Sequence, residues 1–167
     1  MIGAIRAVDA APVKVDGRSF VIFQIDRRRF ALPAHRIAEL APPVRLHAFP
    51  STTPLVAGVI VRRGRIVPVC DAAPVLVERD NVPHRFYLVV RLAAGDASTG
   101  EDENLVAIPV SGECELASAD TRAPEGRPAY VASSLSVHGE ALDVLDLEKL
   151  MALSSRTERG ALEEVQP

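Results

Sequence analysis

The chain has 167 residues, 48% apolar and 25% charged, with a formal net charge of -3 and a pI of about 5.8. That balance suits one globular domain or two small fused lobes, long enough to bury a core without staples. The slight acid excess, with 4% aromatic residues and no Trp, argues against a basic phosphate-binding footprint and against a base-stacking platform.

Residues 1–17 hold no apolar run long enough for a signal peptide and read as a flexible N-terminal segment. Phe20 to Ile25 (FVIFQI) is rich in β-branched and aromatic residues and predicts a strand. Asp26-Arg27-Arg28 reads as a turn, with Arg29 to Leu32 as the returning strand. Pro33 fits the first turn of a helix, and Ala34, Ile37, Ala38 and Leu40 fall roughly at helical spacing, which predicts a short helix over Ala34 to Leu40. Pro42-Pro43 ends it, and Phe49 to Pro54 has loop composition.

Val56 to Val61 is a continuous apolar strand, Arg62 to Arg65 with Gly64 a hairpin turn, and Ile66 to Val69 the return. Pro68 donates nothing to a ladder, so it predicts an edge or a bulge there. Asp71 is placed to cap a short helix over Ala72 to Val77. Phe86 to Leu92 and Leu105 to Val110 read as strands, joined by a Gly-, Ser- and acid-rich loop over 93–104. Residues 119–128 read as another loop. Tyr130 to Val137, a turn at His138-Gly139-Glu140 and Ala141 to Leu145 form a final hairpin. Asp146 caps a terminal helix from Leu147 to about Leu153, and 154–167 is a polar tail.

Many short strands, two or three short helices and frequent turns predict an all-β barrel or sandwich. A doubly wound nucleotide fold would need long helices between the strands. No stretch approaches the roughly 20 apolar residues that span a bilayer, so no membrane insertion is expected and the cytoplasm is the expected location.

Catalytic constellations do not assemble. Cys70 and Cys114 match no ligand spacing and read as buried small hydrophobes. His35, His47, His84 and His138 are scattered, so no metal site is expected. No nucleophile elbow or phosphate-cradling Gly loop is present. Asp143 and Asp146 flank a strand end, where capping explains Asp146 better than catalysis. The expectation is a protein without catalytic residues or cofactor.

The segment GVIVRRGRIVPVCD, residues 58–71, resembles the signature of the CheW-like domain family. Gly58, Val59, Arg63, Gly64, Pro68, Val69 and Asp71 stand in the matching places. The stretches FVIFQIDRRRFALPAHRIAEL and YVASSLSVHGEALDVLDLEKLM look like that family's opening hairpin and helix and its closing hairpin and helix. Three blocks in register span roughly residues 18–153.

The resemblance implies an all-β fold of two small five-stranded barrels packed around a shared hydrophobic core. It also implies an adaptor linking the cytoplasmic tip of a methyl-accepting chemoreceptor to the regulatory domain of a CheA-type histidine kinase. The implied receptor-facing residues are Arg63, with Gly58, Gly64 and Arg62 beside it, and Ile37, Glu39 and Leu40 at the end of the first helix. Val61-Arg62 stand where the family has Asn-Leu, residues 109–118 depart from its pattern, and the 93–104 loop is longer. These departures fit an accessory pathway controlling surface motility, pili or a second messenger.

Each residue also has a plainer reading. Arg62, Arg63 and Arg65 suit a solvated hairpin tip as well as a patch that docks carboxylates through paired donors. Gly64 answers to a positive φ and Gly58 to a bulge or close backbone approach. Ile37 and Leu40 fit the core face of an amphipathic helix, and Glu39 a solvated acid. The competing functional class is a small-ligand-binding β-barrel or a diverged regulatory module without kinase coupling, which would need convergent polar groups in a pocket.

Overall fold

From Phe20 to Phe23 the chain is apolar on alternate and intervening positions alike because both of its faces are buried. The computed structural model describes residues 5–7, 18–51, 55–78, 82–92 and 104–152. Its strands are β1 (Ile5–Ala7), β2 (Ser19–Ile25), β3 (Arg28–Pro33), β4 (Ile37–Ala41), β5 (Val56–Arg62) and β6 (Arg65–Cys70). They continue as β7 (Phe86–Arg91), β8 (Leu105–Val110), β9 (Cys114–Ser118), β10 (Thr121–Arg122), β11 (Val131–Val137) and β12 (Glu140–Leu145). The helical pieces are a 3-10 turn (Ala34–Arg36), α1 (Ala73–Leu76) and α2 (147–152).

The strands form two sheets, in the orders β1-β9-β2-β3-β12-β11-β10 and β4-β7-β8-β6-β5. The five-stranded sheet lies wholly between β3 and β9 in the chain, so it forms an inserted lobe. The seven-stranded sheet is the split lobe, and its two halves are joined by the pairings of β9 with β1 and β2 and by the parallel pairing of β3 with β12 (Phe30 with Asp143).

Three apolar clusters follow from strand alternation. Phe20 and Ile22 of β2 meet Leu135, Val137, Leu142 and Val144 inside the split lobe. Ile60, Val67, Val69, Tyr87 and Val89 fill the inserted lobe. The remaining faces of β2, β3, β7 and β8 pack on one another: Val21, Phe23, Ile25, Phe30 and Leu32 share a cluster with Leu88, Val90, Val106 and Ile108. Strands buried on both sides read as continuous apolar runs. Cys70 and Cys114 are free thiols in this shared core, and burial pushes them up to about 11 and about 12.

The fold class is the expected one, two β-lobes around a shared core. The lobes are curled sheets of seven and five strands, however, and not closed five-stranded barrels. In the inserted lobe, β4 and β5 are opposite edges. Pro42 and Pro43, which have no N–H to donate, follow β4 directly. Pairing with β5 resumes at His47, which exchanges two backbone hydrogen bonds of 2.8 and 2.9 Å with Val59. In the split lobe, the chain leaves β9 through residues 119–120 and enters β10, so one stretch pairs first with β2 and then with β11.

Other expectations need correction. The helix expected over Ala34 to Leu40 is a 3-10 turn followed by β4. Ile37 and Leu40 pack against the shared core, whereas Ala38 and Ala41 belong to the inserted-lobe cluster. A bulge between Ile37 and Glu39 shifts the strand's alternation, and that shift imitates helical spacing. Pro68 lies in an interior strand rather than at an edge, and the bulge sits on the partner strand, between Val56 and Gly58. Val59, opposite Pro68, spends its own N–H and C=O on His47, so β5 asks nothing of the proline nitrogen. The 119–128 loop contains β10, and residues 5–7 of the N-terminal segment form β1 beside β9. The loop over 93–103 and the tail 154–167 lie outside the described residues.

The cap expected at Asp146 is present, the Lys149 N–H donating to Asp146 Oδ1 at 3.0 Å. Asp71 is not the N-cap residue of α1, which is Ala72 with no side-chain cap; Asp71 stands one residue earlier and its Oδ1 accepts from the Ala73 N–H at 3.2 Å.

Candidate functional site: a basic hairpin mouth

β5 and β6 are joined by the two residues Arg63 and Gly64, with φ of +50° and +75°. Positive φ at both central positions defines a type I′ turn, whose twist matches the flanking strands. Gly64 adopts this without penalty, and a Cβ there would meet nothing within 4 Å. Arg63 occupies a left-handed conformation that costs a non-glycine residue on the order of 1 kcal/mol. Its side chain is 81% exposed, against 24% for Arg62.

Arg62 behaves differently. It has the parity of Ile60, which points into the inserted lobe, so its side chain runs over the lobe's open end and meets Glu39 of β4. Arg62 Nε and an Nη donate to the two Glu39 oxygens at 2.9 and 3.1 Å, a fork-to-fork pair. Both side chains are about three-quarters buried or more, at 24% and 19% exposure. The hydrogen bonds from Arg62 hold the Glu39 carboxyl below its ordinary value, against a desolvation effect of opposite sign, and Arg63 adds to the lowering. The same bonds raise Arg62. Arg63 lies 3.5 Å from Glu39.

Glu39 is therefore an ion-pair partner and not a solvated acid. It links β4 to β5 where the backbone ladder is missing. Arg62, Arg63, Arg65 and Arg91 surround it at a cavity of about 170 Å³, with Ala38, Val89 and Leu105 as its apolar wall. Arg91 also donates to the Ile37 carbonyl at 2.9 Å, which anchors β4 to β7. Among the described residues that line this mouth, four are arginines and one is an acid. On the outward face of the same hairpin, the cross-strand pair Val61 and Ile66 is 51% and 71% exposed.

The structure brings Arg62, Arg63, Gly64 and Glu39 together. Gly58 is set apart by a packing constraint, because a Cβ there would sit 2.4 Å from the His47 carbonyl oxygen. Ile37 and Leu40 are partly buried against the shared core. Sequence reasoning missed Arg91, whose one signal is its place at the end of a strand, and the Val61–Ile66 pair, visible as two apolar residues flanking an arginine turn. Among the described residues no group of three or more His, Cys, Asp or Glu could hold a metal ion. None of their helices is long and apolar enough to cross a membrane.

A two-lobed β-scaffold that offers charge and apolar surface on a rigid hairpin has the character of a binding module. A family model, the CheW-like domain, matches residues 19–151, and the chain belongs to that family. Among solved structures, the scaffolding protein TtCheW from Thermoanaerobacter tengcongensis is similar in fold. It is 17% identical, with a TM-score of 0.68 over 84% of this chain and 90% of that chain. A search of curated proteins gives no match.

Proposed function

We propose that this chain is a non-catalytic adaptor of chemosensory signalling in the cytoplasm, docking a chemoreceptor tip and coupling it to a CheA-type histidine kinase. The observation that carries the reading is the exposed Arg63 on a type I′ turn, braced from behind by the Arg62–Glu39 pair. A rigid turn loses little entropy when it binds, and a guanidinium offers paired donors to partner carboxylates. Gly64 permits the turn, Gly58 lets the 46–48 segment support β5, and Ile37 and Leu40 fix the strand that carries Glu39. Such an adaptor works by differential affinity: it biases the kinase to the extent that it binds the signalling states of the receptor unequally. Arg62, in place of the family's Leu, fits an accessory pathway with its own receptor.

Titration of the chain with a receptor cytoplasmic fragment and, separately, with the kinase regulatory domain tests this. Arg63→Glu should weaken receptor binding by about tenfold or more, a change of roughly 1.4 kcal/mol per decade, while kinase binding stays unchanged. Higher ionic strength should weaken the receptor complex as well. Normal receptor binding by the folded variant, or no binding of either partner by the native chain, defeats the proposal.

A further inference from the structure

The β5–β6 hairpin has two faces of opposite exposure. Ile60 and Val67, paired across the strands, point inward and are 0% and 1% exposed. Val59, Val61, Ile66 and Pro68 alternate with them on the outward face, where Val59 pairs with Pro68 and Val61 with Ile66. Cys70 continues this face along β6 and is buried in the core shared with the split lobe. Cover thins from there toward the turn: Cys70 is 2% exposed, Pro68 is half-buried and Ile66 is 71% exposed. Single exposed apolar residues are ordinary, but here two stand directly opposite each other on a rigid hairpin. Arg63 and the exposed Arg65 form the rim of the pair at the turn. Glu39, the acid at this end of the lobe, is already held by Arg62 at 2.9 and 3.1 Å. An apolar pair with a cationic rim is complementary to a surface that sets acids beside an apolar row. The outer edge of β5 at Val59 is taken by the two backbone hydrogen bonds to His47, so a partner comes onto the face and not along that edge as an added strand. An amphipathic helix offers such a face, because residues three and four apart line up in rows of one chemistry.

We propose that Val61 and Ile66 are the specificity-determining pair of the hairpin, accepting a partner helix whose apolar row is flanked by acids. The row covers the pair, and an acid meets Arg63. The inference rests on the docking reading above and adds to it an apolar requirement. Arg63 alone accepts any accessible carboxylate. The pair discriminates further, since a polar side chain laid on it loses water and gains no hydrogen bond. Val61 stands where the CheW-like signature has Asn, so this chain selects its partner differently from a member that keeps the Asn.

The full chain is titrated with the receptor cytoplasmic fragment and with two designed amphipathic helical peptides that share a leucine row, one flanked by Glu and the other by Lys. Saturable shifts of the Val61 and Ile66 methyl resonances are expected with the Glu-flanked peptide. The Lys-flanked peptide should bind about tenfold more weakly, and Arg63→Glu should narrow that gap. Val61→Thr and Ile66→Thr keep a β-branched residue in each strand and remove the apolar contact. Together they should weaken binding of the Glu-flanked peptide and of the receptor fragment about tenfold, with the urea midpoint close to that of the native chain. If the double variant does not fold, Val61→Asn decides the matter and should weaken binding several-fold. The proposal is overturned if the folded variants bind as well as the native chain, if the Lys-flanked peptide binds as tightly as the Glu-flanked one, or if the variants lose stability and keep their affinity. Loss of receptor binding in Arg63→Glu alone, with the Thr variants unaffected, defeats the role of the pair and leaves the docking reading standing. Selective binding of the Glu-flanked peptide without binding of the receptor fragment defeats the receptor reading and supports the pair.

Discussion

The two lobes carry the same turn with different chemistry. Arg63-Gly64 in the inserted lobe has φ of +50° and +75°, and His138-Gly139 in the split lobe has +50° and +79°. Both are two-residue connections, flanked by Arg62 and Arg65 in one hairpin and by Val137 and Glu140 in the other. In the split lobe the flanking acid, Glu140, is bound by Arg29 at 2.5 Å, and Arg29 also bonds Glu115. That tip region is acid-rich and its one described central cation is shared between two carboxylates. Among the described residues at the inserted lobe's mouth the ratio is reversed, with one carboxylate beside four guanidinium groups. Backbone geometry thus sets how far a turn projects, and the strand-end residues beside it set what it can bind.

The largest expected effect that separates the lobes is Gly58→Ala. The new Cβ would press on the His47 carbonyl, which cannot withdraw without breaking its bridge to Val59. A loss of about 3 kcal/mol in urea unfolding is expected, typical of severe overpacking. Glu39→Gln comes next. It strips the carboxylate from a mostly buried Arg62, and about 2 kcal/mol should be lost near neutral pH. Because Arg62 lowers the folded-state value of Glu39, this stabilisation is present above the ordinary carboxylate value of 4.5 and disappears as pH falls through the lower folded value. Urea midpoints of the native chain and Glu39→Gln should therefore converge in acid.

Gly64→Ala and Gly139→Ala should each cost about 1 kcal/mol, since both positions are left-handed and open. Unequal costs would show that the shared geometry is not what stabilises the two turns. Smallest is the difference between Cys70 and Cys114. With both thiols raised by burial, neither should react with iodoacetamide in the native protein at pH 8, and both should react at the rate of global unfolding. Faster labelling of one thiol would mean that its side of the shared core opens separately.

Local signals made much of this legible. The doubly buried β2, the β5–β6 hairpin, the β11–β12 hairpin and the cap at Asp146 each rest on a few adjacent residues. β4 was misread because its bulge breaks the two-residue period that identifies a strand. β9 and β10 were missed because they are short and lie among loop-forming residues. Within the hairpin site, Arg62 and Glu39 were each visible, but their pairing joins opposite edges of a sheet.

The insertion of one lobe within the other also imposes an order in time. On the ribosome, the chain has completed every strand of the inserted lobe by Val110, when the split lobe still lacks β9 to β12. The arginine hairpin can therefore be finished while β3 waits for its parallel neighbour β12. Until the closing hairpin emerges, Phe20 and Ile22 have no lid from Leu135 and Leu142. The half-built split lobe is thus the stage of synthesis most exposed to misassembly and most in need of chaperone cover.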